Sequence, residues 1–513
     1  MSKGHVFLVG AGPGDPGLIT LKGLECLKRS DVLVYDRLAA PELLDYAPAE
    51  TRRVYAGKSP ERHAMSQREI NELLRREAEA GRSVTRLKGG DPFLFGRGSE
   101  EAAFLARHGI PFTVVPGVTS AAAAPAYAGI PLTHRGLASA VSVITGNEDP
   151  LKEESSLDWA HIAAGRETLV FLMGMGNLAA ICSRLTAGGR DPATPAAVVY
   201  RGTYPDQRVI TGTLADIAER AAGAGLTSPA VIVVGEVVRL RAELSWLEKK
   251  PLFGRHILVT RAREQAGELS AALRELGAEV SEYPVIRFAP PEHPELLDSA
   301  VRRAAAFDWV IFTSANGVRS FMARLAALAL DIRELRGARL AAIGPQTARE
   351  LERLLLRVEA LPEKYRAEDL ARALTGKVRA GDRVLLPRAD IARPYLAAEL
   401  RAMGAEVEEV TAYRTLRAGE DAAAVQRALR AGRIDAVTFT SSSTARGFAA
   451  LVGGAEELGR AAAVSIGPIT SAAARELGIP VAAEAEEYTI AGLVAALSAY
   501  FSEAARLHAE AVK

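Results

Sequence analysis

A chain of 513 residues exceeds what a single hydrophobic core fills, so at least two domains are expected. Apolar residues at 49% and charged residues at 24% exclude a disordered chain, and 63 Lys plus Arg against 62 Asp plus Glu exclude a polyanion-coating surface, so no nucleic-acid partner is expected. Only Cys26 and Cys182 are present, without metal-ligand spacing to the histidines, and no apolar run reaches about 18 residues, so the expectation is a cytoplasmic protein with no metal and no membrane partner.

In chain order, the short β-rich runs "HVFLVG", "DVLVYD" and "SVTRLK" alternate with helical stretches such as "LITLKGLECLKR" and "QREINELLRREAEA", a pattern that predicts α/β layers. The run "VVPGVTS" ends a strand at Pro116 and Gly117 and opens a small-residue helix, which divides the first half into lobes of about 1–117 and 118–245 with a cleft between them. Closer strands follow in "AAVVYRG", "QRVITG" and "AVIVVGEVV", and the charged segment "RLRAELSWLEKKPLFG" sets a domain boundary near Lys250, giving domains 1–250 and 251–513.

The opening loop, "VGAGPGDPG" from Val9 to Gly17, looks built for a nucleotide but fails the dinucleotide pattern, because Gly10 and Gly12 are followed by Pro13, Gly14 and Asp15. An acid at a helix N-terminus opposes a pyrophosphate, so a ligand without phosphates fits better, and the sulfonium compound S-adenosylmethionine is one. A second loop, "RLKGGDPFLFGRGSEE" from Arg86, sets Gly89, Gly90 and Asp91 directly after a strand, where α/β ligands bind. The plainer reading is a tight turn in which Asp91 caps the next helix.

The second half carries an internal repeat. "RHILVTRA" from Arg255 returns as "DRVLLPRA" from Asp382, "LRELGAEV" from Leu273 as "LRAMGAEV" from Leu400, and "DWVIFTSANGVRSF" from Asp308 as "DAVTFTSSSTARGF" from Asp435, each at an offset of 127. Two similar α/β lobes are expected, with strand exchange between them, one of about 251–288 plus 414–513 and the other of 289–413.

The ordered motifs "VGAGPGDPGLITLKGLECLKRSDVLVYDRL", "LKGGDPFLFGRG", "VVPGVTSA", "FLMGM" and "PAVIVVGEVV" make residues 4–245 resemble the uroporphyrinogen-III C-methyltransferases. From Gly254 onward, "ILVTRA", "FTSANGV", "AIGPQTA", "TAYRT", "FTSSSTARGF" and "SIGPITSAAARELG" resemble uroporphyrinogen-III synthase. The resemblance implies a two-lobed tetrapyrrole methyltransferase fold followed by a two-lobed α/β synthase-like fold, with the second half cyclising hydroxymethylbilane to uroporphyrinogen III and the first methylating that product twice, at C2 and C7, to precorrin-2. No further dinucleotide domain is seen, so the chain is expected to stop there. It also implies a homodimer through the methyltransferase half.

By the same resemblance, the S-adenosylmethionine site comprises Pro13, Gly89, Gly90, Asp91, Leu94, Thr119, Ser120, Met173 and Gly202, with Asp36 as proton acceptor and Lys58 as proton donor. Each has a plainer reading: Pro13 stiffens its turn, Leu94 and Met173 are core, Gly202 permits a bend, and the charged pair makes a surface ion pair or cap. "TGNEDP" departs from the pattern by placing Asn147 where a histidine is expected. In the second half, the helix starts "TSANG", "GPQTA", "TSSST" and "GPITS" offer backbone N–H groups to substrate carboxylates or are ordinary caps. Tyr413, at the end of its strand and opposite Ile286 in the repeat, is a candidate general acid, or else a packed hinge residue. Two rival readings are a methylase for a later corrin intermediate with a regulatory second half, and a two-lobed sensor without turnover.

Overall fold

The computed structural model describes residues 3–57, 65–148, 155–363, 365–419 and 421–511; Lys58 lies outside them. The chain divides into two compact units, Met1–Gly254 and Arg255–Lys513.

The first unit holds two five-stranded sheets. Strands β1 (His5–Gly10), β2 (Val32–Tyr35), β3 (Arg52–Tyr55), β4 (Ser83–Lys88) and β5 (Phe112–Val115) lie in the order β3-β2-β4-β1-β5, all parallel. Helices cover both faces of such a sheet, so its central strands are mostly buried; β1 and β2 read as largely apolar runs, whereas β4 carries the buried Arg86 and Lys88. The second sheet, β6 (Val141–Thr145), β7 (Thr168–Leu172), β8 (Pro195–Tyr200), β9 (Arg208–Thr213) and β10 (Ala230–Val234), is mixed, in the order β6-β7-β10-β8-β9. The close spacing of β8 and β9 in the sequence reflects their antiparallel pairing, which needs no crossover helix, whereas the helix Ile217–Gly223 comes between β9 and β10.

The glycines of the opening loop contact other loops of the same sheet edge. A Cβ on Gly10 would sit 2.5 Å from the backbone N of Gly117 and 2.6 Å from the carbonyl O of Gly90, so only glycine lets the ends of β1, β4 and β5 meet. Gly90 N donates to Gly12 O at 2.7 Å, and Gly12 N donates back to Gly90 O at 3.2 Å. Both residues hold positive φ, +78° at Gly12 and +69° at Gly90.

The second unit carries β11 (His256–Val259), β12 (Glu279–Glu282), β13 (Ile286–Ala289), β14 (Trp309–Phe312), β15 (Arg339–Ala342), β16 (Arg383–Ala389), β17 (Glu406–Arg417), β18 (Ala436–Phe439), β19 (Ala462–Ser465) and β20 (Val481–Glu484). They form two sheets, β12-β11-β18-β19-β20 and β13-β17-β16-β14-β15. The repeat is thus dealt across both lobes: β11 and β12 correspond to β16 and β17, and β14 and β15 to β18 and β19, yet β11 pairs with β18 and β14 with β16. Each sheet joins half of one repeat to half of the other. Among the described residues no helix is long and apolar enough to cross a membrane.

Candidate active sites

The loops at the strand ends of the first unit surround a cavity of about 480 Å³. Asp36, Pro13, Gly89, Gly90, Asp91 and Leu94 reach it from the first sheet. Thr119, Ser120, Met173 and Gly202 reach it from the second lobe. Lys58 is the one residue of that expected set that is not described. Met173 is 49% exposed with φ 59°, so it does not serve as core packing, whereas Leu94 packs in part against the core of the second lobe. A Cβ on Gly202 would meet Ala124 Cβ at 2.3 Å, so this glycine lets its loop close onto the helix Ser120–Tyr127. Asn147 also lines the cavity, its backbone N–H donating to Thr145 Oγ1 at 3.3 Å.

Two carboxylates behave differently from a simple reading of their loops. Asp15 does not face the cavity: one oxygen caps the turn at Gly17 N (2.7 Å), and the other accepts from the Tyr127 hydroxyl at 2.7 Å. The acid that argued against a pyrophosphate therefore joins the two lobes instead. Asp91 accepts from Phe93 N at 2.8 Å and Leu94 N at 3.1 Å through Oδ1, and from Gly117 N at 3.0 Å through Oδ2. It caps its own turn and also ties that turn to the β5 loop, so it shapes the wall through backbone.

Asp36 follows β2, its side chain 27% exposed. Oδ1 accepts from Leu38 N at 3.1 Å and Oδ2 from Arg86 Nη2 at 3.3 Å, which fixes the carboxylate against the cavity wall. Behind it lies a charged cluster that sequence reading missed. Arg86 and Lys88, two apart on β4 and so on one face, both turn toward Glu101 of the helix Gly98–Arg107. Lys88 Nζ donates to Glu101 Oε1 at 2.9 Å, and Arg86 Nε to the same oxygen at 3.4 Å. Burial pushes the Lys88 ammonium below its ordinary range, with Arg86 adding to the shift and Glu101 opposing it. Two cations in a buried parallel strand were the available signal, since such charges persist only when paired. Lys88 lines the cavity, as does Arg201, whose guanidinium lies 4.3 Å over the Tyr204 ring. The cavity thus offers two anchored carboxylates, Asp36 and Asp91, backbone loops and three cations, Arg37, Lys88 and Arg201.

In the second unit, β17 continues to Arg417, so Tyr413 is internal to its strand rather than at its end. The pairing of β16 with β17 slips between Arg388 and Ala389, and Tyr413 stands opposite Ala389 just past that irregularity, a feature that re-aims side chains. Tyr413 is 7% exposed and packs edge-on against Phe288 at 5.4 Å. Its hydroxyl lies 3.0 Å from Ser314 Oγ and also bonds the Asn316 side chain. Burial pushes its phenol above the ordinary range, partly offset by those two bonds, so the group is a neutral donor near pH 7. Ser314 and Ser441 are genuine helix caps, accepting from Gly317 N and Thr444 N. Gly344 and Gly467 open the other two helices without a side-chain cap.

Comparison with known proteins gives two family matches: residues 5–218 match the tetrapyrrole (corrin/porphyrin) methylases, and residues 267–495 match uroporphyrinogen-III synthase HemD. The chain is 40% identical over 450 residues to a porphyrin biosynthesis protein HemD of Ruminiclostridium josui, covering 88% of this chain and 89% of that one. It is 45% identical over 353 residues to a uroporphyrinogen-III C-methyltransferase of Bacillus subtilis, covering 69% of this chain and 72% of that one. Among solved structures, a native-form uroporphyrin III C-methyl transferase from Thermus thermophilus is 44% identical, with a TM-score of 0.40, covering 46% of this chain and all (100%) of that one.

Proposed function

The chain belongs to the porphyrin-biosynthesis enzymes that join a tetrapyrrole methylase to a uroporphyrinogen-III synthase, and from that premise we propose that it works in sequence on one tetrapyrrole. The second unit closes hydroxymethylbilane to uroporphyrinogen III with loss of water and inversion of one ring. The first unit then methylates that ring system at C2 and C7, giving precorrin-2. The single observation that best supports this reading is the cavity in which loops of both lobes of the first unit converge on Asp36.

S-adenosylmethionine suits that cavity, because Gly90 has space beside its Cα and a backbone that only glycine holds comfortably, so the main chain is open to a ligand. The residues that would hold it are Pro13, Gly89, Gly90, Asp91, Leu94, Thr119, Ser120, Met173 and Gly202. When bound, it supplies an electrophilic methyl group on a sulfonium. Asp36 would accept the proton that leaves the ring system after methylation, held in place by Arg86 and Leu38 N. Lys88 and Arg201 would meet the acidic arms of the tetrapyrrole, with Lys58 the proposed proton donor. In the second unit Tyr413 would donate to the departing hydroxyl. Chromatography of the product tests the reading: the protein given hydroxymethylbilane alone yields the type III ring, and with S-adenosylmethionine a dimethylated product. Type I ring alone, or no methylation, would overturn it.

A further inference from the structure

The repeat in the second unit places two arginines at corresponding positions, Arg261 after β11 and Arg388 within β16, at the same offset of 127. Their surroundings differ. Arg388 is paired at both terminal nitrogens: Nη1 pairs with Glu409 at 2.6 Å, and Nη2 donates to Ala392 O at 3.2 Å. Arg261 is more deeply hidden, 8% exposed, yet Nε reaches only Gln265 Oε1 at 3.3 Å and the buried Nη1 has no hydrogen-bond partner. Glu282, the counterpart of Glu409, is exposed. A buried guanidinium nitrogen left unpaired is costly and is usually matched by an anion. Burial, with Glu268 opposing and Arg319 adding, lowers the affinity of Arg261 for its proton.

Arg261 is also wired to the candidate acid. Gln265, which accepts from Arg261, donates through Nε2 to Asn316 Oδ1 at 2.5 Å, and Asn316 bonds the Tyr413 hydroxyl. Gln265 stands on the helix Arg263–Glu275 of one lobe and Asn316 on the helix Ala315–Ala327 of the other, so the chain of bonds crosses from lobe to lobe. The 127-offset counterparts of Gln265 and Asn316 are Ala392 and Ser443, so the other end of the unit lacks it.

We propose that Arg261 anchors one side-chain carboxylate of the linear tetrapyrrole and, through Gln265 and Asn316, registers that arm against Tyr413. This rests on the synthase reading above. A carboxylate matches the planar fork of a guanidinium and satisfies Nη1 with a charge-assisted bond.

The test uses the full chain and the kinetics of hydroxymethylbilane consumption. Arg261→Met should raise KM at least about tenfold with kcat little changed, the mark of lost substrate binding. Its melting temperature should stay level or rise, because an unpaired buried charge is removed. Arg388→Met should do the reverse, melting lower with KM within about twofold, since Glu409 loses one of its two arginine partners, Arg401 being the other, and Ala392 O loses a donor. A parent-like KM in Arg261→Met, or a KM rise that Arg388→Met reproduces, overturns the proposal. Should the Met variant not fold, Arg261→Lys decides, with a KM rise of at least about threefold expected and a parent-like KM overturning it. If the parent makes no type III ring, the synthase reading fails and the anchor falls with it, which is a separate outcome from a working parent with an indifferent Arg261.

Discussion

Asp36 is held by one main-chain N–H and one buried guanidinium, and that arrangement separates its orientation from its chemistry. Asn at this position keeps an acceptor for one of the two donors, turns an amide NH2 toward the other, and loses the basic site. Asp36→Asn is therefore expected to leave S-adenosylmethionine binding by calorimetry near the parent value and to slow methyl transfer by about 10² to 10⁴. Unchanged turnover would reduce Asp36 to a wall residue. Tyr413 permits a similar separation. Tyr413→Phe keeps the edge-on packing against Phe288 and removes only the hydroxyl shared with Ser314 and Asn316. The lost bonds should cost about 1 kcal/mol of stability, measured by thermal melting, while type III formation drops well beyond what so small a loss explains. Full cyclase activity would leave substrate folding by the protein's N–H groups as the better account of the ring closure.

At the scale of elements, Glu77 links strand to helix. It sits on the helix Gln67–Glu79 with its side chain 3% exposed, pairing with Arg52 of β3 at 2.7 Å and with Arg82, just ahead of β4. Burial alone would raise its carboxyl, but the bonds and charges of Arg52 and Arg82 outweigh it and hold the group below its usual 4.5. The stabilisation is thus present above about pH 4.5 and is lost as the pH falls through the lower folded value. Melting of the first unit followed downward from about pH 5 should steepen in the parent and flatten in Glu77→Gln; parallel curves would remove Glu77 from the acid limb. The elements themselves were largely legible, because glycines forced by close backbone approach and apolar strands covered on both faces leave marks in residue type. What sequence could not supply was the partner of each polar group. Asp15 reads as an obstacle to phosphate until Tyr127, 112 residues later, is found to hold it. Arg86 and Lys88 read as ordinary strand charges until Glu101 comes in from the next helix. The extension of β17 past Tyr413 depends on antiparallel pairing with β13, which no local pattern announces.

At the scale of the whole molecule, the two compact units meet in the chain at Gly254 and Arg255, and the first contains every described residue of the cavity around Asp36. A fragment of residues 1–254 should therefore methylate supplied uroporphyrinogen III by itself; a soluble, folded fragment that fails to bind S-adenosylmethionine would count against that assignment. The exchanged strands of the second unit set a different rule for its manufacture. On the ribosome, β11 and β12 emerge early, but β18, the inner neighbour of β11, begins only at Ala436, and the edge strand β20 ends at Glu484. At roughly 5–20 residues per second, the first strands wait on the order of ten seconds or more while the intervening lobe, complete at Arg417, finishes ahead of them. Nascent chains stalled shortly after Arg417 clears the exit tunnel should hence show a protease-resistant middle lobe and a cleavable stretch around β11 and β12. Protection of both together would mean that the early strands find a temporary shelter during translation.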